Sequence, residues 1–222
     1  MNRSRLRLTE DGSLTIISDV FGEGYHSRHG AIQESNHVFI DAGLRHQAAS
    51  GDHLNVLEFG FGTGLNAALT WQWVMQHSDV TIKYIAVEAY PIEIAEAQQL
   101  NYSTMLGLED FIKLHEAPWE EEIALSDNFR LQKVQEDFHK FTFDIGFDLI
   151  YYDAFAPACQ PMLWEEPILA QVMNMCAPGA ALVTYCAKGS FKRALKKVGF
   201  EVEELPGPPG KREMTRAIAK IK

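Results

Sequence analysis

Apolar and polar positions fall into short blocks with a regular rhythm. LRLTEDGSLTII alternates apolar and polar residues on both sides of Asp11-Gly12, which predicts a β-hairpin. DVFGEGYHSRHGAIQESNHVFIDAGL is rich in glycine, histidine and polar residues with only a short apolar stretch, and reads as a loop followed by a helix. LNVLEFG then reads as a buried strand, and Asn66 to Gln76 carries apolar residues at helical spacing. IKYIAVEAY is a second strand, with Pro91 placed to open a helix running to about Leu100.

FIKLHEAPWEEEIALSDNFRLQKVQEDF reads as strand pieces around an acidic excursion, the last strand running into Asp137. FDLIYYDAF is a buried strand, followed by a helix from about Glu165 to Cys176 that Pro178-Gly179 would end. ALVTYC is a further strand, KGSFKRALKKVGF a basic helix closing at Gly199, and FEVEEL and MTRAIAKI two last strands around PGPPGKRE. Strands alternating with helices predict an α/β fold with a Rossmann-like doubly wound sheet. The sheet should be mostly parallel with an antiparallel last strand, and carry an N-terminal β-hairpin. One domain over 1–222 is expected, with a hairpin and cap segment at 1–50 and a core at 51–222.

Composition narrows the class. Hydrophobic residues at 46% and charged residues at 23% are ordinary globular values, and no apolar run approaches the roughly 20 residues of a membrane span. The amino terminus, MNRSRLRLTEDG, lacks the apolar core of a signal peptide, so a cytoplasmic location is expected. Cys159, Cys176 and Cys186 form no CxxC pair, and His26, His29 and His37 match no standard zinc spacing; no metal is expected. The net charge is −10, which disfavours indiscriminate nucleic-acid binding. Yet from Val183 to Lys222 ten Lys/Arg face four Glu, a local net of +6 that leaves −16 elsewhere.

The ligand-bearing stretch is LEFGFGTGLN. Gly60, Gly62 and Gly64 remove side chains between a strand and a helix, where the chain can turn sharply and a ligand can approach the backbone. Four acids, Glu58, Glu88, Asp137 and Asp153, each close an apolar run, at the strand ends where such sheets bind ligands. Glu88 follows Gly64 by 24 residues, near the distance at which an acid meets a ribose diol in dinucleotide folds, about 20. GxGxG after an acid differs from the GxGxxG of NAD proteins and is similar to motif I of S-adenosylmethionine-dependent methyltransferases. Asp137 is placed to accept from an adenine amine. Asp153, in YYDAFAP, is placed to orient an attacking amine and take its proton, and Phe155 to line a pocket.

Together SRHGAIQESNHVFIDAGL, LEFGFGTGLNAALTW, YYDAFAPACQPMLW and GPPGKREM resemble the methyltransferase domain of the MnmC family, bacterial enzymes that make 5-methylaminomethyl-2-thiouridine in tRNA, and its stand-alone relatives. The resemblance implies the class I methyltransferase form of the fold, S-adenosyl-L-methionine as cofactor, and N-methylation of 5-aminomethyl-2-thiouridine at the tRNA wobble position. It also implies that Glu58, Gly60, Phe61, Gly62, Thr63, Gly64 and Asn66 hold the methionine end, Glu88 the ribose and Asp137 the adenine. Asp153 is then the catalytic acid that faces the amine and also borders the cofactor, and Tyr25 and Glu34 complete the cofactor pocket. Substrate contacts fall to Phe155, Pro157, Lys188, Lys211 and Arg212, with Lys192 and Lys196 extending a positive face.

Many family members are fused to a flavin-dependent oxidase; a chain of 222 residues is expected to perform methyl transfer alone, coupled to a separate enzyme that installs the aminomethyl group. A small-molecule amine methyltransferase or an aminopropyltransferase shares the same sheet, loop and carboxylate, and stays open at this level. A nucleotide-sensing or scaffold protein that kept the fold and lost its chemistry is a further alternative, which the intact DAFAP run opposes.

Overall fold

The computed structural model describes residues 5–220. Lys222, counted in the basic tail, and the first four residues of the amino-terminal segment lie outside the described residues. The chain opens with the expected hairpin, β1 (Leu6–Leu8) against β2 (Leu14–Ile16). Asp11 organises its loop. Its carboxylate accepts from the Thr9 and Ser13 hydroxyls and the Ser13 N–H, and its other oxygen accepts from the Gln33 N–H. One side chain thus closes the hairpin and caps the first helix, supplying an acceptor that Gly30 at the helix start cannot offer.

That helix, α1 (Ala31–Ser35), continues through a π-helical stretch, Asn36–Leu44, into α2 (Arg45–Ala48). Where it crosses the sheet it carries Gly43; a Cβ there would stand 2.8 Å from Val183, so the close approach requires glycine. Next come β3 (His53–Phe59), α3 (Leu65–Met75) and β4 (Thr81–Val87). Three short helices follow, α4 (Ile94–Ala97), α5 (Tyr102–Leu106) and α6 (Lys113–Glu116). The rest is β5 (Glu122–Ser126), β6 (Phe129–Val134), β7 (Phe147–Tyr152), α7 (Glu166–Met175), β8 (Cys176–Thr184), α8 (Gly189–Val198), β9 (Phe200–Pro206) and β10 (Glu213–Ala219).

Eight strands form one sheet in the order β5-β6-β4-β3-β7-β8-β10-β9. The β6/β4, β4/β3, β3/β7 and β7/β8 pairs are parallel, and β10 is antiparallel to both neighbours. The alternation along each strand sorts side chains to two faces. Val56, Tyr84 and Tyr151 pack toward α3 and the long amino-terminal helix, while Leu57, Ile85, Ile150 and Leu182 pack toward α7 and α8.

Several sequence expectations need correction. Pro91 lies three residues before α4, which Glu93 opens with a reciprocal capping box to Glu96. The third core strand stops at Val134, three residues short of Asp137. Pro178-Gly179 does not terminate α7: that helix ends at Met175 and the pair lies inside β8, within the bulged stretch where the pairing of β8 with β7 slips. The stretch around 111–130 includes α6 as well as strands, and β5 is a second antiparallel strand, beside β6.

Candidate active site

Connections from β3 lead to β4 on one side and eventually to β7 on the other, the divergence at which open α/β sheets hold ligands. A cavity of about 660 Å³ opens there at the carboxyl ends of the parallel strands. Its floor begins with the turn Gly60–Gly64. Gly60 donates its N–H to the Val87 carbonyl at 2.9 Å, tying the turn to the next strand. Gly60 and Gly62 have φ of 97° and 50°, where L side chains are strained. A Cβ on Gly60 would stand 2.8 Å from the Asp153 carbonyl oxygen, and one on Gly62 2.7 Å from the Tyr25 ring. The bare turn therefore serves close packing against Asp153 and Tyr25. The Gly62 N–H donates to Glu88 Oε2 at 3.0 Å, and the Tyr90 N–H donates to Oε1 at 2.8 Å. Burial pushes the Glu88 carboxyl above its usual range, opposed by these backbone donors.

Strand alternation turns Glu58 toward α3, where Asn66 sits in the first turn. Asn66 Nδ2 donates to Glu58 Oε1 at 2.9 Å and to Asp153 Oδ2 at 2.8 Å. One amide thus gives both its hydrogens to two carboxyls, and the buried Asn66 Oδ1 is left without a partner. Glu58 is buried and does not line the cavity; Asn66 and Asp153 do. Burial drives the Glu58 carboxyl well above its ordinary range, with Asn66 opposing. Asp153 is pushed up to about 7, first by burial, then by Glu34, against the Asn66 hydrogen bond and Lys211.

Beyond Asp153 the chain is pinned on both sides of Phe155. Gln160 Oε1 accepts the Phe155 N–H at 2.9 Å, and Trp164 Nε1 donates to the Phe155 carbonyl at 2.9 Å. That is the physical content of DAFAP followed by tryptophan: the motif fixes a ring on the cavity wall. Phe155 packs against Phe21 at 4.5 Å and Tyr25 at 5.1 Å between centroids. Pro157 is outside the lining, although Ala156 and Ala158 belong to it.

Glu34 also lines the cavity. Its Oε2 accepts the Ser27 N–H and its Oε1 the Lys211 ammonium at 2.5 Å. Lys211 Nζ stands 3.9 Å over the Tyr185 ring, whose hydroxyl donates to the Ala154 carbonyl. Lys211 is thus neutralised inside the site and is not a free surface cation. Lys192 departs further from the expected positive face: it is buried and paired with Glu204 and Glu213, each at 3.0 Å. Lys188, Lys196 and Arg212 are exposed. Asp137 lines the cavity from an exposed turn, its Oδ1 accepting the His139 N–H.

The sequence reading missed His26. Nδ1 lies 3.0 Å from Thr15 Oγ1 and Nε2 lies 3.3 Å from Thr63 Oγ1, so the ring joins the hairpin to the glycine turn. Burial lowers its pKa to about 4, and the ring is neutral at physiological pH. No local spacing in the sequence signals that bridge. Among the described residues no group of three or more His, Cys, Asp or Glu is arranged to hold a metal. None of the described helices is long and apolar enough to cross a membrane.

The profile of an S-adenosyl-L-methionine-dependent methyltransferase family matches residues 93–220, more than half of the chain. The chain belongs to this family. Its relatives include the tRNA 5-methylaminomethyl-2-thiouridine biosynthesis bifunctional protein MnmC of Aromatoleum aromaticum, 30% identical over 239 residues, covering 96% of this chain and 35% of the relative. The MnmC of Cupriavidus necator is 31% identical over 213 residues, covering 89% and 32%. The chain spans about a third of the length of these curated relatives. The crystal structure of MnmC2 from Aquifex aeolicus is similar over all of this chain and 72% of its own, with a TM-score of 0.81 and 25% identity. The expected kinship to the MnmC methyltransferase domain and the class I fold are borne out.

The methyltransferase cofactor, S-adenosyl-L-methionine, carries an ammonium, a carboxylate, a ribose diol and an adenine amine. The residues present fit it. The orphaned Asn66 Oδ1 is an acceptor in want of a donor, and the Glu88 oxygens keep lone pairs beyond their two backbone donors. The cavity volume lies within the range of small-molecule sites, roughly 300–1,000 Å³.

Proposed function

We propose that this methyltransferase transfers a methyl group to the aminomethyl nitrogen of 5-aminomethyl-2-thiouridine at the wobble position of tRNA. The observation that carries the reading is Asp153, held by Asn66 in the cavity beside Phe155 and Tyr25, in a chain similar to MnmC over 96% of its length. In this reading the turn Gly60, Phe61, Gly62, Thr63 and Gly64, with Asn66, holds the methionine end of the cofactor, and Glu58 acts by fixing Asn66. Glu88 takes the ribose diol and Asp137 the adenine amine. Tyr25 closes the pocket over Gly62, and Glu34 sets the charge around Lys211.

When bound, the cofactor supplies an electrophilic methyl group on a positively charged sulfur. The chain's own residues govern the acceptor. A protonated amine has no lone pair, so the nucleophile must arrive neutral and be oriented. Asn66 occupies Asp153 Oδ2, which leaves Oδ1 to accept an amine N–H. Near pH 7 a carboxyl held at about 7 is divided between its two forms. The ionised form can take the proton that the nitrogen sheds as it gains the methyl group. The Phe155, Phe21 and Tyr25 rings exclude water from that transfer.

The assignment covers methyl transfer, with the aminomethyl group installed by a separate activity. Calorimetric titration should show binding of S-adenosyl-L-methionine and none of NAD, and methyl label should pass to undermodified tRNA and not to polyamines. Label appearing in polyamines alone defeats the proposal.

A further inference from the structure

Large apolar side chains stand in solvent around the cavity mouth. Tyr90 is 53% exposed and Met162 64%, and both line the cavity; Val20, 56% exposed, adjoins the lining residue Phe21. Phe21 meets Tyr90 edge-on at 6.0 Å and Phe155 at 4.5 Å, and Phe155 meets Tyr25 at 5.1 Å. The rings form a continuous run from solvent to the wall beside Asp153. A single exposed apolar side chain is ordinary, whereas a contiguous run that ends in a pocket marks a binding surface.

The charge around the same mouth is wrong for phosphate. Of the acids that line the cavity, Glu23 and Asp137 are exposed while Glu34 and Glu88 are buried within it; Lys211 is paired to Glu34, and Lys192 is held by Glu204 and Glu213. The exposed rings offer flat faces to nucleobases, as unpaired RNA loops present them, while the exposed acids disfavour phosphate contacts at the same place.

We propose that the enzyme docks its RNA by stacking, with the unpaired nucleotides flanking the target base lying on Tyr90, Phe21 and Met162, and with few phosphates neutralised. This rests on the reading above that the acceptor is a base in an RNA loop. Because Tyr90 and Met162 are exposed, their replacement leaves the fold intact. Met162→Ala should raise the KM for tRNA roughly tenfold without changing the Kd for S-adenosyl-L-methionine, Tyr90→Ala should raise that KM likewise, and Tyr90→Phe should behave as wild type. The logarithm of KM should rise with the logarithm of salt with a slope below about 3. An unchanged KM in both alanine variants overturns the proposal. So does a slope above that limit together with a loss carried by Lys188→Glu and Arg212→Glu. Wild-type enzyme on the same tRNA separates the two ideas: no methylation by wild type sinks the functional reading, while methylation that is indifferent to Tyr90 and Met162 sinks only the stacking.

Discussion

Asp153→Asn should slow methyl transfer and stabilise the protein at once. The carboxyl is shifted from 3.8 to about 7 by burial. Between those values the folded state keeps a proton that the unfolded chain has released, so stability falls as pH rises from about 4 to 7 and stays low above. A displacement of that size corresponds to ~4 kcal/mol. Asp153 is open in part to the cavity, which reduces the figure to roughly 2–4 kcal/mol. Asparagine keeps the shape and can turn its oxygen toward Asn66 Nδ2, so the variant should escape this cost. Its unfolding midpoint should match wild type near pH 4 and exceed it at pH 8 by on the order of 5–10 °C. An amide cannot take the amine proton, so single-turnover methylation should fall by about 10²–10⁴-fold, with cofactor affinity retained. Wild-type kcat/KM should rise with pH through about 7. A variant with near wild-type turnover, or with no gain in midpoint at pH 8, would refute the reasoning.

Three further outcomes follow. Gly62→Ala forces a Cβ into the Tyr25 ring at 2.7 Å with φ of 50°, and should weaken cofactor binding in calorimetry and cost roughly 1–3 kcal/mol in urea unfolding. Lys211→Ala removes a cation that lowers the Asp153 pKa, so the pH profile of kcat/KM should move to the alkaline side; an unmoved profile would show that Glu34 and Lys211 do not reach the acid. Lys133 is buried, donates to the His115 carbonyl at 2.7 Å and stands 4.7 Å over the Trp119 ring. Burial lowers its pKa to about 8, so the unfolded chain binds the extra proton and wild-type stability should rise from about pH 8 to 10. In Lys133→Met that rise should be absent from unfolding curves.

Most of the fold was legible because its core strands are continuous apolar runs with turn residues after them. LNVLEFG, IKYIAVEAY and FDLIYYDAF leave little choice between buried strand and anything else. The π-helical stretch was not legible, since nothing in the apolar spacing of Asn36–Leu44 separates π from α winding. Glu58, Glu88 and Asp153 were readable as acids at strand ends, but the Asn66 bridge between Glu58 and Asp153 depends on strand register and helix phase together. The ion pairs of two residues on the expected basic face were hidden for a related reason. Charge counted along the chain cannot show that Lys192 and Lys211 are spent on glutamates brought from β9, β10 and α1.

The central claim is that the amine held at Asp153 belongs to the wobble base of a tRNA. Purified protein, methyl-labelled S-adenosyl-L-methionine and tRNA bearing 5-aminomethyl-2-thiouridine should give, after digestion and mass spectrometry of nucleosides, labelled 5-methylaminomethyl-2-thiouridine in a yield that collapses in Asp153→Asn. Label in any other nucleoside, or that base left unmethylated while the cofactor binds, would contradict the account.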